Sequence, residues 1–369
     1  MAVKYDTAGL LHCLMPLWLC SACDTVQVWP GPYSRGAPVS FYYFSCYLCN
    51  IFPIRFAMTT IKRLLALSLL PLLLGCTSVK VSKPMLKMIV DATIKLSDAP
   101  AYADSCRHTV GLPYAENGSG RQVLDVYYAP ESVRRDIVLI DIHGGFYVGG
   151  DRRNNRVFAS SFLREGIDVV LVEYRLNDGK DIDVETELRD CATALDYLTD
   201  HAGELGLNKD AMFLTGDSAG GHFALYIAEG AEDNSLPVHP ERFVPRGVLL
   251  NCPAYDYEAF AITNGFTKSA LEWFIGPRYR DTAWMASMSP RTRIGSYTGP
   301  LFVSTCKDDF IRGESLKLID DCEALGREVE FVDIHAGDRK VGHVHNVTDP
   351  DLPESREVNA RMIAFMNYN

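Results

Sequence analysis

Residues 211–231 read AMFLTGDSAGGHFALYIAEGA. The first half, AMFLTG, is an apolar strand-like run, and AGGHFALYIAEGA is apolar at helical spacing. Between them lies Gly216-Asp217-Ser218-Ala219-Gly220-Gly221. A serine between two glycines, with a strand before and a helix after, sits on a tight strained turn that lifts its hydroxyl above a sheet. The flanking glycines fit because a Cβ there would collide with the neighbouring strand or helix. The helix that follows points its positive end at any anion forming beside the serine.

A nucleophilic serine needs main-chain N–H donors facing the oxygen that becomes negative. Ala219 N–H, just after the serine, supplies one. The second glycine-rich segment, DIHGGFYVGG at 141–150, follows the apolar run 137–142. Gly144 and Gly145 are expected to supply the other donors, because a backbone without side chains lets the substrate oxygen come close. His143 is expected to orient this loop. The acid and base lie further on. The run LFVSTC (301–306) ends in Lys307-Asp308-Asp309-Phe310, so either aspartate can follow a strand end and orient an imidazole. After EVEFVDI (328–334) come His335, His343 and His345. His335 follows the strand so closely that a structural role suits it best.

The same rhythm extends both ways. Strand-like segments recur at 123–128, 137–142, 168–175, 211–216, 247–252, 301–306 and 328–334. Helical spacing appears in Val184, Leu188, Cys191, Leu195 and Leu198, and again over 313–325 and 354–366. Strands alternating with helices imply an α/β fold, with a mostly parallel central sheet covered by helices on both faces. The rhythm breaks between about 253 and 299, an insertion rich in aromatics and methionine. It is expected to be a helical cap over the site.

The chain has 369 residues, 47% hydrophobic and 22% charged, with a net charge of −11. This is ordinary globular composition and excludes the basic stripe of a nucleic-acid binder. Residues 58–76, MTTIKRLLALSLLPLLLGC, carry Lys62 and Arg63 before an apolar run at 64–74. That run is too short for a membrane span of ~20 residues but suits a signal peptide. Its end, Leu73-Leu74-Gly75-Cys76, resembles a bacterial lipobox, which implies an exported protein with a lipid anchor at Cys76; a plain signal peptide or a membrane anchor are the alternatives. Residues 1–57 then read as an upstream over-call or a disordered extension, 77–105 as a linker and 106–369 as the folded domain. Eleven cysteines are present, five of them within the first fifty residues. Cys20-x-x-Cys23 and Cys46-x-x-Cys49 have zinc-ribbon spacing, but the segment between them lacks the usual turn chemistry.

Together, HGGF at 143–146 and GDSAGG at 216–221 resemble the α/β-hydrolase superfamily, and within it the hormone-sensitive-lipase-like carboxylesterases, over about residues 110–368. The resemblance implies an α/β-hydrolase fold and a serine esterase for small-molecule esters, working without metal or cofactor. By the family's order of serine, acid and histidine it implies Ser218, Asp309 and His343. His345 departs from the pattern, standing where an aromatic usually does. The oxyanion donors it implies are Gly144, Gly145 and Ala219. Short-chain or aryl esters, and acyl groups on carbohydrates, are the expected substrates. Two other classes stay open: an amidase or arylformamidase on the same triad, and a ligand-binding protein of the same fold.

Overall fold

The computed structural model describes residues 100–116, 118–257, 272–273 and 275–369. Eight strands form one sheet: β1 (His108–Pro113), β2 (Val123–Tyr127), β3 (Val138–Ile142), β4 (Asp168–Val172), β5 (Met212–Asp217), β6 (Gly247–Asn251), β7 (Leu301–Cys306) and β8 (Glu330–Ile334). The helices are α1 (Arg156–Leu163), α2 (Val184–Leu205), α3 (Ala219–Glu232), α4 (Thr282–Met288), α5 (Arg312–Ala324), α6 (His345–Thr348) and α7 (Pro353–Tyr368). The strand order is β1-β2-β4-β3-β5-β6-β7-β8. β2 runs antiparallel to both neighbours, and all other pairs are parallel.

Strands β3 to β7 are buried along their whole length. This is why they read as unbroken apolar runs: both faces are covered. On one face α2, α3 and α5 pack through residues such as Leu188, Leu195, Phe223 and Leu318. On the other, α1 and α7 contribute Phe158, Phe162, Val358 and Met362. Each such side chain stabilises the fold by about 1.5–3 kcal/mol through burial. α2 starts where the Asp183 side chain accepts the Thr186 N–H at 2.9 Å, and it stops at Gly206, whose φ of +66° suits a residue without Cβ. The sequence reading missed β1, an exposed edge strand, and the short α1.

The chain order reverses beside β3, so β3 and β5 are neighbours, with Ile142 opposite Gly216. The loops leaving their carboxyl ends therefore emerge side by side, where ligands bind in open α/β sheets. The ends of β6 and β7 lie next along the same edge, with Asn251 opposite Ser304.

Of the expected cap, 253–257, 272–273 and 275–299 are described, and 258–271 and 274 lie outside the described residues. The described part holds α4 between two 3-10 turns, Gly276–Arg280 and Pro290–Arg293. It is tied to α3, where His222 Nε2 donates to Met288 O at 2.8 Å and Tyr226 Oη donates to Ser287 O at 3.2 Å. Residues 1–57, the segment 58–76 with Cys76, both Cys-x-x-Cys pairs and 77–99 lie outside the described residues. The five described cysteines are free thiols.

Candidate active site

Ser218 joins β5 to α3 with φ +54° and ψ −117°, a strained conformation for a residue with a side chain. The turn is held by Ser218 N–H donating to Asn251 O at 3.0 Å, and by Ser218 O accepting from Ala254 N–H at 3.1 Å and His222 N–H at 3.2 Å. It is as tight as the glycines imply. A Cβ on Gly220 would stand 2.7 Å from His143 O.

The two aspartates after β7 separate by burial. Asp308 is exposed, whereas Asp309 is buried. Asp309 accepts from Thr305 Oγ1 at 2.9 Å, Ile311 N–H at 3.0 Å and His343 Nδ1 at 2.6 Å. Burial alone would raise its carboxyl, but the adjacent His343 and these donors outweigh it and hold the group below the usual carboxylate range. A carboxylate only accepts, so His343 carries its proton on Nδ1 and turns a lone pair outward on Nε2. Nε2 is buried and has no hydrogen-bond partner among the described residues, Ser218 Oγ included. Such bonds are commonly long before substrate arrives.

The His343 loop is anchored beside the serine. Val344 N–H donates to Cys252 Sγ at 3.3 Å, one residue after the Asn251 that holds Ser218. Cys306 Sγ donates to Val341 O at 3.0 Å. Val344 has φ +51°, and this left-handed step sends the next side chain the other way. His345 is buried with Nδ1 2.9 Å from Ser355 Oγ on α7, and burial pushes its pKa down to about 4. His335 is exposed and lies 3.1 Å from Asp333. Of the three histidines, the structure brings only His343 to the acid.

The oxyanion loop requires one correction. Gly144 N–H is already committed, donating to Asp217 Oδ1 at 3.1 Å, so it is not free to meet an oxyanion. No acceptor among the described residues takes the N–H of Gly145, Phe146 or Ala219. The loop carbonyls are satisfied inward. His143 O accepts from Tyr174 Oη at 2.7 Å, Gly144 O from His143 Nδ1 at 2.8 Å, and Gly145 O from Gly149 N–H at 3.0 Å. Phe146 and Tyr147 have φ of +53° and +65°, consecutive left-handed residues that turn the chain sharply. Phe146 N–H was not among the expected donors, since any residue but proline offers an N–H and side-chain type gives no signal. Its ring stacks on Phe310 at 5.7 Å, and Phe310 packs on His343 at 4.4 Å, an aromatic wall beside the base.

His143 orients the loop, as expected. It stacks on Tyr174 at 4.4 Å, and its Nε2 lies 3.5 Å from Glu173 Oε1. Burial would lower its pKa, yet Glu173 beside it holds it above the ordinary value. Cys252, Asp309 and His343 are the one group of metal-ligand type among the described residues, with ligand atoms within 4.8 Å. In this structure two of the three are spent on the His343–Asp309 hydrogen bond.

The BD-FAE family model matches residues 124–312, from β2 to the start of α5. An arylesterase of Saccharolobus solfataricus is 31% identical over 111 residues, covering 30% of this chain and 35% of that protein. Carboxylesterase NlhH of Mycobacterium tuberculosis is 26% identical over 213 residues, 55% of this chain and 66% of that one. The chain thus spans between about a third and two thirds of the length of these curated relatives. An inhibited esterase B from Lactobacillus rhamnosis superimposes with a TM-score of 0.66 at 25% identity, over 74% of this chain and 89% of the other.

Proposed function

Because the chain belongs to the BD-FAE family and has the α/β-hydrolase fold, we propose that it is a serine carboxylesterase with Ser218, His343 and Asp309 as its triad. The observation that carries this is the 2.6 Å bond from His343 Nδ1 to a buried Asp309, in a loop that Val344 N–H ties to Cys252, one residue from the Asn251 that holds the strained Ser218. His343 Nε2 takes the proton of Ser218 as its Oγ attacks the ester carbonyl. Asp309 stabilises the imidazolium that forms. The N–H groups of Gly145, Phe146 and Ala219 receive the oxyanion. His343 then protonates the departing alcohol, leaving an acyl-serine, and water repeats the two steps to release the acid.

The substrates we infer are short-chain and aryl esters. The arylesterase and carboxylesterase relatives support carboxylic and aryl esters as the class, and sugar-borne acyl groups extend it. The signal-like segment ending at Cys76 supports an exported, lipid-anchored enzyme. The test is hydrolysis of p-nitrophenyl acetate, butyrate and octanoate by the wild type, Ser218→Ala, His343→Ala and His345→Ala. The proposal expects turnover of the shorter esters and a loss of at least ~10³-fold in the first two variants only. Turnover lost in His345→Ala and kept in His343→Ala would overturn the triad. Hydrolysis of amides but not esters would overturn the substrate class.

A further inference from the structure

Beneath the oxyanion loop two buried carboxyl groups share one carboxamide. Asp141 belongs to β3 and Asp217 ends the adjacent β5. Asn155, itself buried, directly precedes α1 and donates both hydrogens of Nδ2: one to Asp141 Oδ2 at 2.8 Å, the other to Asp217 Oδ1 at 3.0 Å. Asp217 Oδ1 is the atom that also accepts the Gly144 N–H. Asp141 Oδ1 is buried without a hydrogen-bond partner. Among the described residues no arginine or lysine pairs with either carboxyl. The other titratable groups facing them are His143, from the end of β3, and His343, from the base loop on the Asp217 side.

Two carboxyls buried together with no paired cation do not both ionise, so they hold one proton between them. We propose that Asp141, Asn155 and Asp217 are positioning residues for the oxyanion hole: the amide and the shared proton fix the Asp217 carboxylate, which captures Gly144 N–H and so aims Gly145 and Phe146 N–H at the substrate oxygen. Asn155 would be hard to replace here, because one side chain must donate to two carboxyls at once. An aspartate offers no such donors, and alanine leaves the pair unbridged. The titration agrees with the geometry. Burial first, and then the Asp217 charge, push Asp141 up to about 8, and burial raises Asp217 as well. When the shared proton leaves, two anions face each other and the loop they support loses its register.

The inference rests on the esterase reading above. The test is steady-state kinetics of the full chain on p-nitrophenyl acetate from pH 6 to 10, with circular dichroism as the folding control. Asn155→Ala is expected to lose ~10²-fold in kcat with little change in KM, the scale of one misplaced oxyanion donor. The wild type is expected to lose kcat as pH rises through about 8. Asp141→Asn carries a fixed donor where the proton was, so it is expected to lack that alkaline limb and to be more active than Asp141→Ala. An Asn155→Ala enzyme within threefold of wild type would overturn the proposal. So would an alkaline limb unchanged in Asp141→Asn, which decides the matter even if Asn155→Ala does not fold. A wild type that hydrolyses no ester overturns the esterase reading and this inference together, whereas an active wild type with unaffected variants overturns this one alone.

Discussion

Replacing Asp309 by asparagine keeps the shape of the acid and removes its charge. In the native site the carboxylate accepts from Thr305 Oγ1, Ile311 N–H and His343 Nδ1. The cost of the change has two sources. The imidazolium formed in the transition state loses a partner whose charge centre is ~4 Å away, worth about 4 kcal/mol at an effective dielectric of ~20. An asparagine that presents its amide to Nδ1 also favours the tautomer protonated on Nε2, which cannot take the serine proton. Together these predict a fall in kcat of roughly 10³–10⁴-fold, in line with the loss seen when a triad aspartate is amidated elsewhere. KM should move little, because Asp309 lies behind the base. The assay is p-nitrophenyl acetate hydrolysis at pH 7.5, with the thermal midpoint measured alongside to exclude unfolding. A folded Asp309→Asn enzyme within tenfold of wild-type kcat would refute the role given to Asp309.

Three further outcomes follow from the same geometry. In Gly144→Ala the added Cβ would stand 2.5 Å from Asp217 O and 3.1 Å from Ser218 Cβ, so the loop must shift; stability should fall by about 1–3 kcal/mol and kcat by at least ~10²-fold, read by urea unfolding and kinetics. His345→Ala breaks the contact to Ser355, so it should lose about 1–3 kcal/mol of stability while kcat stays within threefold; a catalytic collapse in a folded variant would contradict the assignment of the base. His222 is buried, with Nε2 donating to Met288 O, and burial lowers its pKa to about 4. The unfolded chain therefore binds this proton first on acidification, and stability is lost as pH falls from ~6.5 towards 4. Wild-type stability measured against His222→Gln should fall by on the order of 3 kcal/mol across that window; a pH-independent difference would show that the folded protein does not hold His222 neutral.

What was legible in the sequence was what the backbone demands of particular residues. Gly216 and Gly220 announce the turn around Ser218 because an added Cβ would collide with backbone there, and the unbroken apolar runs announce strands covered on both faces. The choice of Asp309 over Asp308, and of His343 over His345, turns on which way a side chain points after a strand end or a left-handed residue such as Val344. Neighbouring residues of the same type carry no such information in their spacing. β1 escaped because Gly111 and Pro113 interrupt an exposed edge strand. The role first given to Gly144 failed for a tertiary reason: its N–H meets the carboxylate of Asp217, 73 residues away. Asn155 gave no signal, since a lone buried amide becomes meaningful only once the two carboxyls it bridges are brought together.

The central claim is that Ser218 is the nucleophile, activated by His343. Its most direct test is covalent trapping with diethyl p-nitrophenyl phosphate, followed by peptide mass spectrometry. The account predicts release of one equivalent of p-nitrophenol per chain, a diethylphosphoryl group on Ser218 and no other residue, and labelling slowed by orders of magnitude in His343→Ala. A protein that hydrolyses esters while Ser218 stays unlabelled, or a Ser218→Ala variant that keeps wild-type turnover, would contradict it.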